Sequence, residues 1–290
     1  MIKVINNISE IIDLYDVFIL DQWGVMHDGN KGYHHAIEAI DKLFNANKKL
    51  IIISNSSKRK LSSTCRLKSL GFNKNHFIEV MTSGEMVWQE LKNSIQNYGS
   101  NLNNCFHIFD ESKEDGLEFR DGLDNFSFVS DICEANFILA CTPFQNMKPI
   151  DYIPILKSAL DHNLIMFCAN PDYITIEKNN MKNIFCMGTI ADLYKNMGGE
   201  VVILGKPSKE IYIESIKKIN ELDKTKTIAI GDSIDHDIFG ASNFDIDSVL
   251  ISSGIHNELF KNSIEIGLNN IISSNTWDCK PTYICTKFSI

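Results

Sequence analysis

A chain of 290 residues with 44% apolar side chains has the size and make-up of one large domain or two ordinary ones, which excludes a disordered or fibrous protein. Its 28 basic and 37 acidic side chains give a net charge of −9, so neither a nucleic acid nor an anionic membrane is expected as partner, while a small anion in a local pocket stays open. The eight cysteines show no Cys-x-x-Cys pair and no zinc-ligand spacing, as in the reduced thiols of a cytoplasmic protein, and neither a signal peptide nor a membrane-spanning run is expected.

Taken in chain order, short runs apolar throughout predict strands buried on both faces, and they alternate with segments of helical period. The first is Val17–Leu20, ending at Asp21. A helix is predicted over 34–47, a strand over Leu50–Ile53 ending at Ser54, and a helix over 58–70 that closes at Gly71. Between about residues 83 and 187 the alternation repeats on its own account, with predicted strands at 106–109, 126–129, 137–140 and 165–169, enough for a separate small domain. The first pattern then returns in Val201–Leu204, Ile228–Ile230 and Val249–Ile251. The expected fold is therefore α/β: a doubly wound, Rossmann-like parallel-sheet core from residues 1–82 and 188–290, with an α/β domain of residues 83–187 inserted in it. The tail 277–290 is assigned nothing beyond docking on the core, and homo-oligomer formation is left open.

In open parallel sheets the ligand crevice lies beyond the carboxyl ends of the strands. Four polar clusters fall there: Asp-Gln-Trp-Gly-Val at 21–25, Ser-Asn-Ser at 54–56, Gly-Lys-Pro-Ser at 205–208, and Gly-Asp-Ser-Ile-Asp-His-Asp at 231–237. Each has a plain structural alternative. Ser54–Ser56 suits the N-cap of the helix that follows, Ser208 suits another cap, and Asp235 and Asp237 suit the first turn of a helix. His27 reads as structural, and Asn170-Pro171-Asp172, which follows a buried strand, reads as a plain turn.

Together the four clusters resemble the motifs of the haloacid dehalogenase superfamily, in order and across nearly the whole chain. The likeness is nearest to the sugar- and nucleotide-phosphate phosphatases with an inserted α/β cap, and Met26-His27-Asp28, Asn170-Pro171-Asp172 and Gly198-Gly199-Glu200-Val201 share in it, which makes a crevice contact at 170–172 as much expected as a turn. The resemblance implies a phosphohydrolase in which Asp21 attacks phosphorus and carries the phosphoryl group as an aspartyl phosphate. It implies Mg²⁺ held by Asp21, Asp232 and the backbone carbonyl of Trp23, with Asp237 and Asp235 behind them. Phosphate and substrate contacts fall to Ser54, Asn55, Gly24, Lys206, Asn170 and Asp172, with Lys206 as the fixed cation. The substrate class implied is a small phosphorylated metabolite, a sugar phosphate or a nucleotide.

One position departs from that pattern. Most phosphatases of the superfamily carry a second aspartate two residues after the nucleophile, as general acid and base, and this chain has Trp23. Loss of such a group costs about 10²–10⁴ in rate. Three outcomes follow: a slow or specialised phosphatase of substrates with good leaving groups, such as aryl phosphates, acyl phosphates or anhydrides; one in which His27, Asp172 or the substrate itself moves the proton; and a phosphate-ester-binding protein without turnover. A metal-independent dehalogenase is a further reading, against which Asp232 argues.

Overall fold

In the computed structural model, residues 2–93, 98, 102–177, 182–261, 263–274 and 279–290 are described, and Trp277 lies outside them. The strands are β1 (Lys3–Val4), β2 (Val17–Leu20), β3 (Lys49–Ser54), β4 (Phe77–Thr82), β5 (Asn104–Ile108), β6 (Ser127–Val129), β7 (Phe137–Ala140), β8 (Ile165–Cys168), β9 (Ile174–Glu177), β10 (Lys182–Phe185), β11 (Glu200–Ile203), β12 (Thr227–Gly231), β13 (Asp247–Ile251) and β14 (Tyr283–Cys285). The chain forms two compact units, residues 1–54, 61–81 and 206–290 in one, residues 55–60 and 82–205 in the other.

The first unit is built on a seven-stranded sheet in the order β1-β14-β13-β12-β2-β3-β4. The pairs β1–β14, β14–β13, β13–β12, β12–β2 and β2–β3 are all parallel. Every residue of β2 and of β12 is buried, as a strand covered on both faces requires, and this is why these segments read as unbroken apolar runs. The main core joins Phe18, Leu20, Leu50, Ile52, Ile228, Ile230 and Val249 to Ala36, Ile40 and Leu43 of α1 (His34–Asn45). From β2 the chain winds outward through β3, and from β12 it winds the other way through β13. The order therefore reverses between β2 and β12, and a ligand crevice is expected at their carboxyl ends. The segment 277–290, left without a role by sequence, supplies β14.

In the second unit the sheet order is β11-β8-β7-β5-β6, parallel in every pair, with an antiparallel hairpin of β9 and β10. Alternate residues of β7 serve opposite faces: Ile138 and Ala140 enter one cluster, Phe137 and Leu139 the other. The boundary expected at 188 is corrected here. Val201 pairs with Met166 of β8, so the helix Met187–Asn196 and β11 complete a crossover unit of this second sheet. Composition alone does not distinguish Val201–Ile203 from a core strand, although at the sheet edge it is the less buried run.

Residues 55–60 also belong with the second unit, and the bonds explain why. Gly84 N–H donates to Ser56 O (3.0 Å), Thr82 Oγ1 to Lys58 O (2.6 Å) and Arg59 Nε to Glu85 Oε2 (2.8 Å). The helix α2 (Lys60–Ser69) begins two residues later than expected, and its first N–H, at Lys60, is taken by Glu85 Oε2 (3.1 Å). The expected closure at Gly71 holds, with φ +90°.

Candidate active site

Asp21 follows β2 directly, and its N–H donates to Ile230 O of the neighbouring strand (2.9 Å). Because Leu20 pairs with Ile230, Asp232 leaves the end of β12 beside it. Lys206 Nζ donates to Asp21 Oδ1 (2.5 Å) and to Asp237 Oδ1 (2.7 Å). All four side chains are buried. Asp21, Asp232 and Asp237 each offer an oxygen, and these oxygens lie within 4.8 Å of one another.

Each carboxylate is held differently. Asp237 Oδ2 accepts the N–H groups of Asp232 and Ser233 (both 3.1 Å). That fold-back is made by a π-helical turn at Ile234–Ile238, a local form that recurs at functional sites. With its Oδ1 on Lys206, Asp237 orients the ammonium and the loop after β12, which is more than a first-turn acid does. Asp235, only half-buried, lies outside the cluster of three. Asp232 Oδ2 accepts the Ile255 N–H (2.8 Å). Gly24, at φ +82°, passes so close that a Cβ there would lie 2.0 Å from Asp232 Oδ2, and a Cβ on Gly254 would lie 2.1 Å from the same atom. Burial, then the charges of Asp21 and Asp237, push the Asp232 carboxyl well above the usual carboxylate range.

Three buried carboxylates facing one ammonium leave negative charge uncompensated, and all the donors are hard oxygens. That set fits a divalent cation of the magnesium or calcium type. The sequence reading missed Gly254 and Ile255, which fix Asp232. Their signal was present, since Ser252-Ser253-Gly254 follows the buried β13 just as the four named clusters follow their strands.

The remaining expected residues divide between the units. Ser54 is buried at the end of β3, whose Ile52 pairs with Leu20, so it stands one residue beyond the level of Asp21 on the adjoining strand. Trp23 and Gly24 lie in the turn after Asp21. Asn55, Asn170 and Asp172 are in the second unit. There Asn55 Nδ2 donates to Asp172 Oδ1 (2.8 Å), and Asp172 N–H donates to Asn170 Oδ1 (3.3 Å). Ser208 caps its helix, accepting the Glu210 N–H. His27 is buried, with Nδ1 accepting the Gly29 N–H (3.1 Å) and Nε2 facing Gln22 Oε1 (3.3 Å). Burial lowers its pKa to about 4, so it is a neutral structural histidine.

These features define a class by structure: a doubly wound α/β sheet with an aspartate, a buried lysine and an acidic cluster at its switch point. Comparison with known proteins narrows the class. A family model described as haloacid dehalogenase-like hydrolase matches residues 18–115, and a second, described as HAD-hydrolase-like, matches residues 203–288. The chain belongs to the haloacid dehalogenase-like hydrolases. No curated protein matches it in sequence. Among solved structures, a haloacid dehalogenase-like hydrolase from Brucella suis is 25% identical with a TM-score of 0.81, over 98% of this chain and 99% of that one. A p-nitrophenyl phosphatase from Archaeoglobus fulgidus is 22% identical with a TM-score of 0.68, over 94% and 97%. A glycerol phosphate phosphatase from Mycobacterium tuberculosis, in complex with calcium, is 14% identical with a TM-score of 0.66, over 96% and 73%.

Proposed function

We propose that the chain is a magnesium-dependent phosphohydrolase of small phosphate monoesters, with Asp21 as nucleophile. The observation that carries this reading is the constellation of Asp21, Lys206, Asp232 and Asp237 at the switch point. A carboxylate attacks a phosphoryl group only when positive charge offsets the repulsion between two anions, and the buried Lys206 ammonium supplies part of that charge. Asp21, Asp232 and the Trp23 carbonyl would hold Mg²⁺, which when bound supplies the rest by drawing charge from the phosphoryl oxygens. Asp237 fixes Lys206 and, through the N–H groups of Asp232 and Ser233, the loop that carries Asp232. Ser54, Asn55 and the amides around Gly24 would bind phosphoryl oxygens, and Gly24 lets the chain turn there without a Cβ.

To the second unit we assign the part of a cap that chooses the substrate, and to Asn170 and Asp172 that of candidate substrate contacts. Neighbours named as p-nitrophenyl phosphatase and glycerol phosphate phosphatase support the reaction class, and the calcium of the latter supports a divalent ion. The sugar-phosphate and nucleotide classes form the starting panel of substrates. All eight thiols are free, which suits a reducing compartment, and we place the protein in the cytoplasm. No described helix is long and apolar enough to cross a membrane.

The test is release of inorganic phosphate from p-nitrophenyl phosphate, with Mg²⁺ and with chelator. Turnover that needs the metal and is abolished in Asp21→Asn is expected. Phosphate-ester binding without turnover in either protein identifies a binding protein instead, and chloride release from a 2-haloacid in chelator identifies a dehalogenase.

A further inference from the structure

Trp23 stands two residues past Asp21, and its indole is 40% exposed, high for the largest apolar side chain in a turn whose neighbours are mostly buried. The ring is nevertheless fixed in place. A Cβ on Gly29 would lie 2.1 Å from Trp23 Cη2, so the backbone at 29 lies against one side of the indole. His27 meets it edge-on, ring centroids 5.7 Å apart. His27 is itself held by Gly29 N–H and Gln22 Oε1, while Gln22 Nε2 donates to Ser63 Oγ (3.1 Å) and Arg66 donates to Gly29 O. What remains exposed is an apolar surface, backed by His27 and Gly29, on a residue two positions along the chain from Asp21. A flat partner that covers it loses no freedom of the indole on binding.

The same residue bears on the chemistry. When Asp21 attacks, the bond from phosphorus to the ester oxygen breaks and that oxygen takes the electron pair. An indole has no proton to give it at neutral pH. Nor does the His27 ring stand in, because both of its nitrogens are occupied within the turn. An alkoxide leaves poorly without a proton, whereas a phenolate leaves as the anion because its ring spreads the charge.

We propose that Trp23 makes this site selective for phosphate monoesters of aromatic alcohols, stacking the ring of the leaving group on its indole while the phenolate departs unprotonated. This rests on the phosphatase reading above and narrows its substrate class away from sugar phosphates. The carboxylate and the aryl phosphate dianion give the aspartyl phosphate and a phenolate. Water then attacks the acyl phosphate, one of its protons passing to the departing phosphate, and Asp21 returns as carboxylate.

The experiment compares p-nitrophenyl phosphate, phenyl phosphate and glycerol phosphate, each with Mg²⁺, on the full chain and its Trp23 variants. The native chain is expected to favour p-nitrophenyl phosphate over glycerol phosphate by about 10² or more in kcat/KM, the gap a missing general acid leaves. Trp23→Phe, which keeps an aromatic face, retains that preference. Trp23→Ala raises KM for both aryl esters by about three- to tenfold, the worth of one aromatic pair, and leaves KM for glycerol phosphate alone. Trp23→Asp raises kcat on glycerol phosphate about tenfold or more and gives it an acid limb in the pH profile, with no gain in kcat on p-nitrophenyl phosphate. Native turnover of glycerol phosphate within about tenfold of p-nitrophenyl phosphate, or an unmoved aryl KM in Trp23→Ala, overturns the inference alone. No turnover of any ester, with Asp21→Asn indistinguishable from the native chain, overturns the phosphatase reading and this inference with it.

Discussion

Replacing Gly24 by alanine isolates the geometry on which the site depends. At φ +82° a residue with a Cβ costs about 1–2 kcal/mol whatever surrounds it. The added carbon would also stand 2.0 Å from Asp232 Oδ2, an ångström inside the closest approach that Cβ atoms make. Asp232 cannot step back, because Gly254 lies against the same carboxylate and the Ile255 N–H holds its Oδ2. A group displaced by about 1 Å costs on the order of 10² in rate. Gly71 provides the control: it has φ +90°, but a Cβ there meets only the end of the Ile37 side chain, at 3.0 Å. Gly71→Ala should melt lower by a few degrees, about 2–4 °C per kcal/mol for a unit of this size, and Gly24→Ala by more, because the clash adds to the strain. Only Gly24→Ala should also lose about 100-fold in kcat on p-nitrophenyl phosphate with Mg²⁺. If Gly24→Ala turns over within about threefold of Gly71→Ala, close approach to Asp232 does not set the geometry, and the reasoning fails.

Removing the ammonium in Lys206→Met leaves Asp21 and Asp237 buried without their shared partner. This should abolish turnover with Mg²⁺ and, in chelator, cost about 3–5 kcal/mol in urea denaturation; unchanged stability would contradict the assignment. A divalent cation should stabilise the native chain by about 2.7 kcal/mol at a hundredfold excess over its Kd. Asp232 is raised in the fold, so its contribution to metal-free stability is full below the unfolded carboxylate pKa and is lost as pH rises through the folded value. A cation has to displace that proton, so the melting shift given by Mg²⁺ should be larger near pH ~7.5 than near pH ~5, and equal shifts would count against the site. His107 of the second unit has its pKa lowered to about 3 by burial and then by Arg120. The unfolded chain binds that proton from about pH 6.5 downward and the folded chain does not until about 3, so stability falls as pH falls through that window. Denaturant titrations of His107→Gln should show a shallower loss between about pH 6 and 4, and an unchanged slope would exclude His107 as a source of acid lability.

How much of this was legible in the sequence depended on burial. Strands covered on both faces declare themselves as unbroken apolar runs, and β2, β3, β12 and β13 lie where those runs predicted. The two residues of β1 and the three of β14 are too short to carry any period. β11 has the composition of a core strand but a partner in the other sheet, and only pairing, not local pattern, decides that. Lys206 and Asp232 could be named because they end or follow strands. The fold-back of Asp237 onto two amides depends on a π-turn for which the residues give no separate signal.

The second unit is not one insertion but two, since the six residues 55–60 travel with the 124 of 82–205. Anyone trimming the protein to its first unit by excising 82–205 would discard Glu85, the carboxylate that accepts from both Arg59 Nε and the Lys60 N–H. Grafting the unit onto another scaffold requires both pieces, joined at four chain crossings. That doubled splice makes the pair far harder to exchange piecemeal than a simple loop insertion.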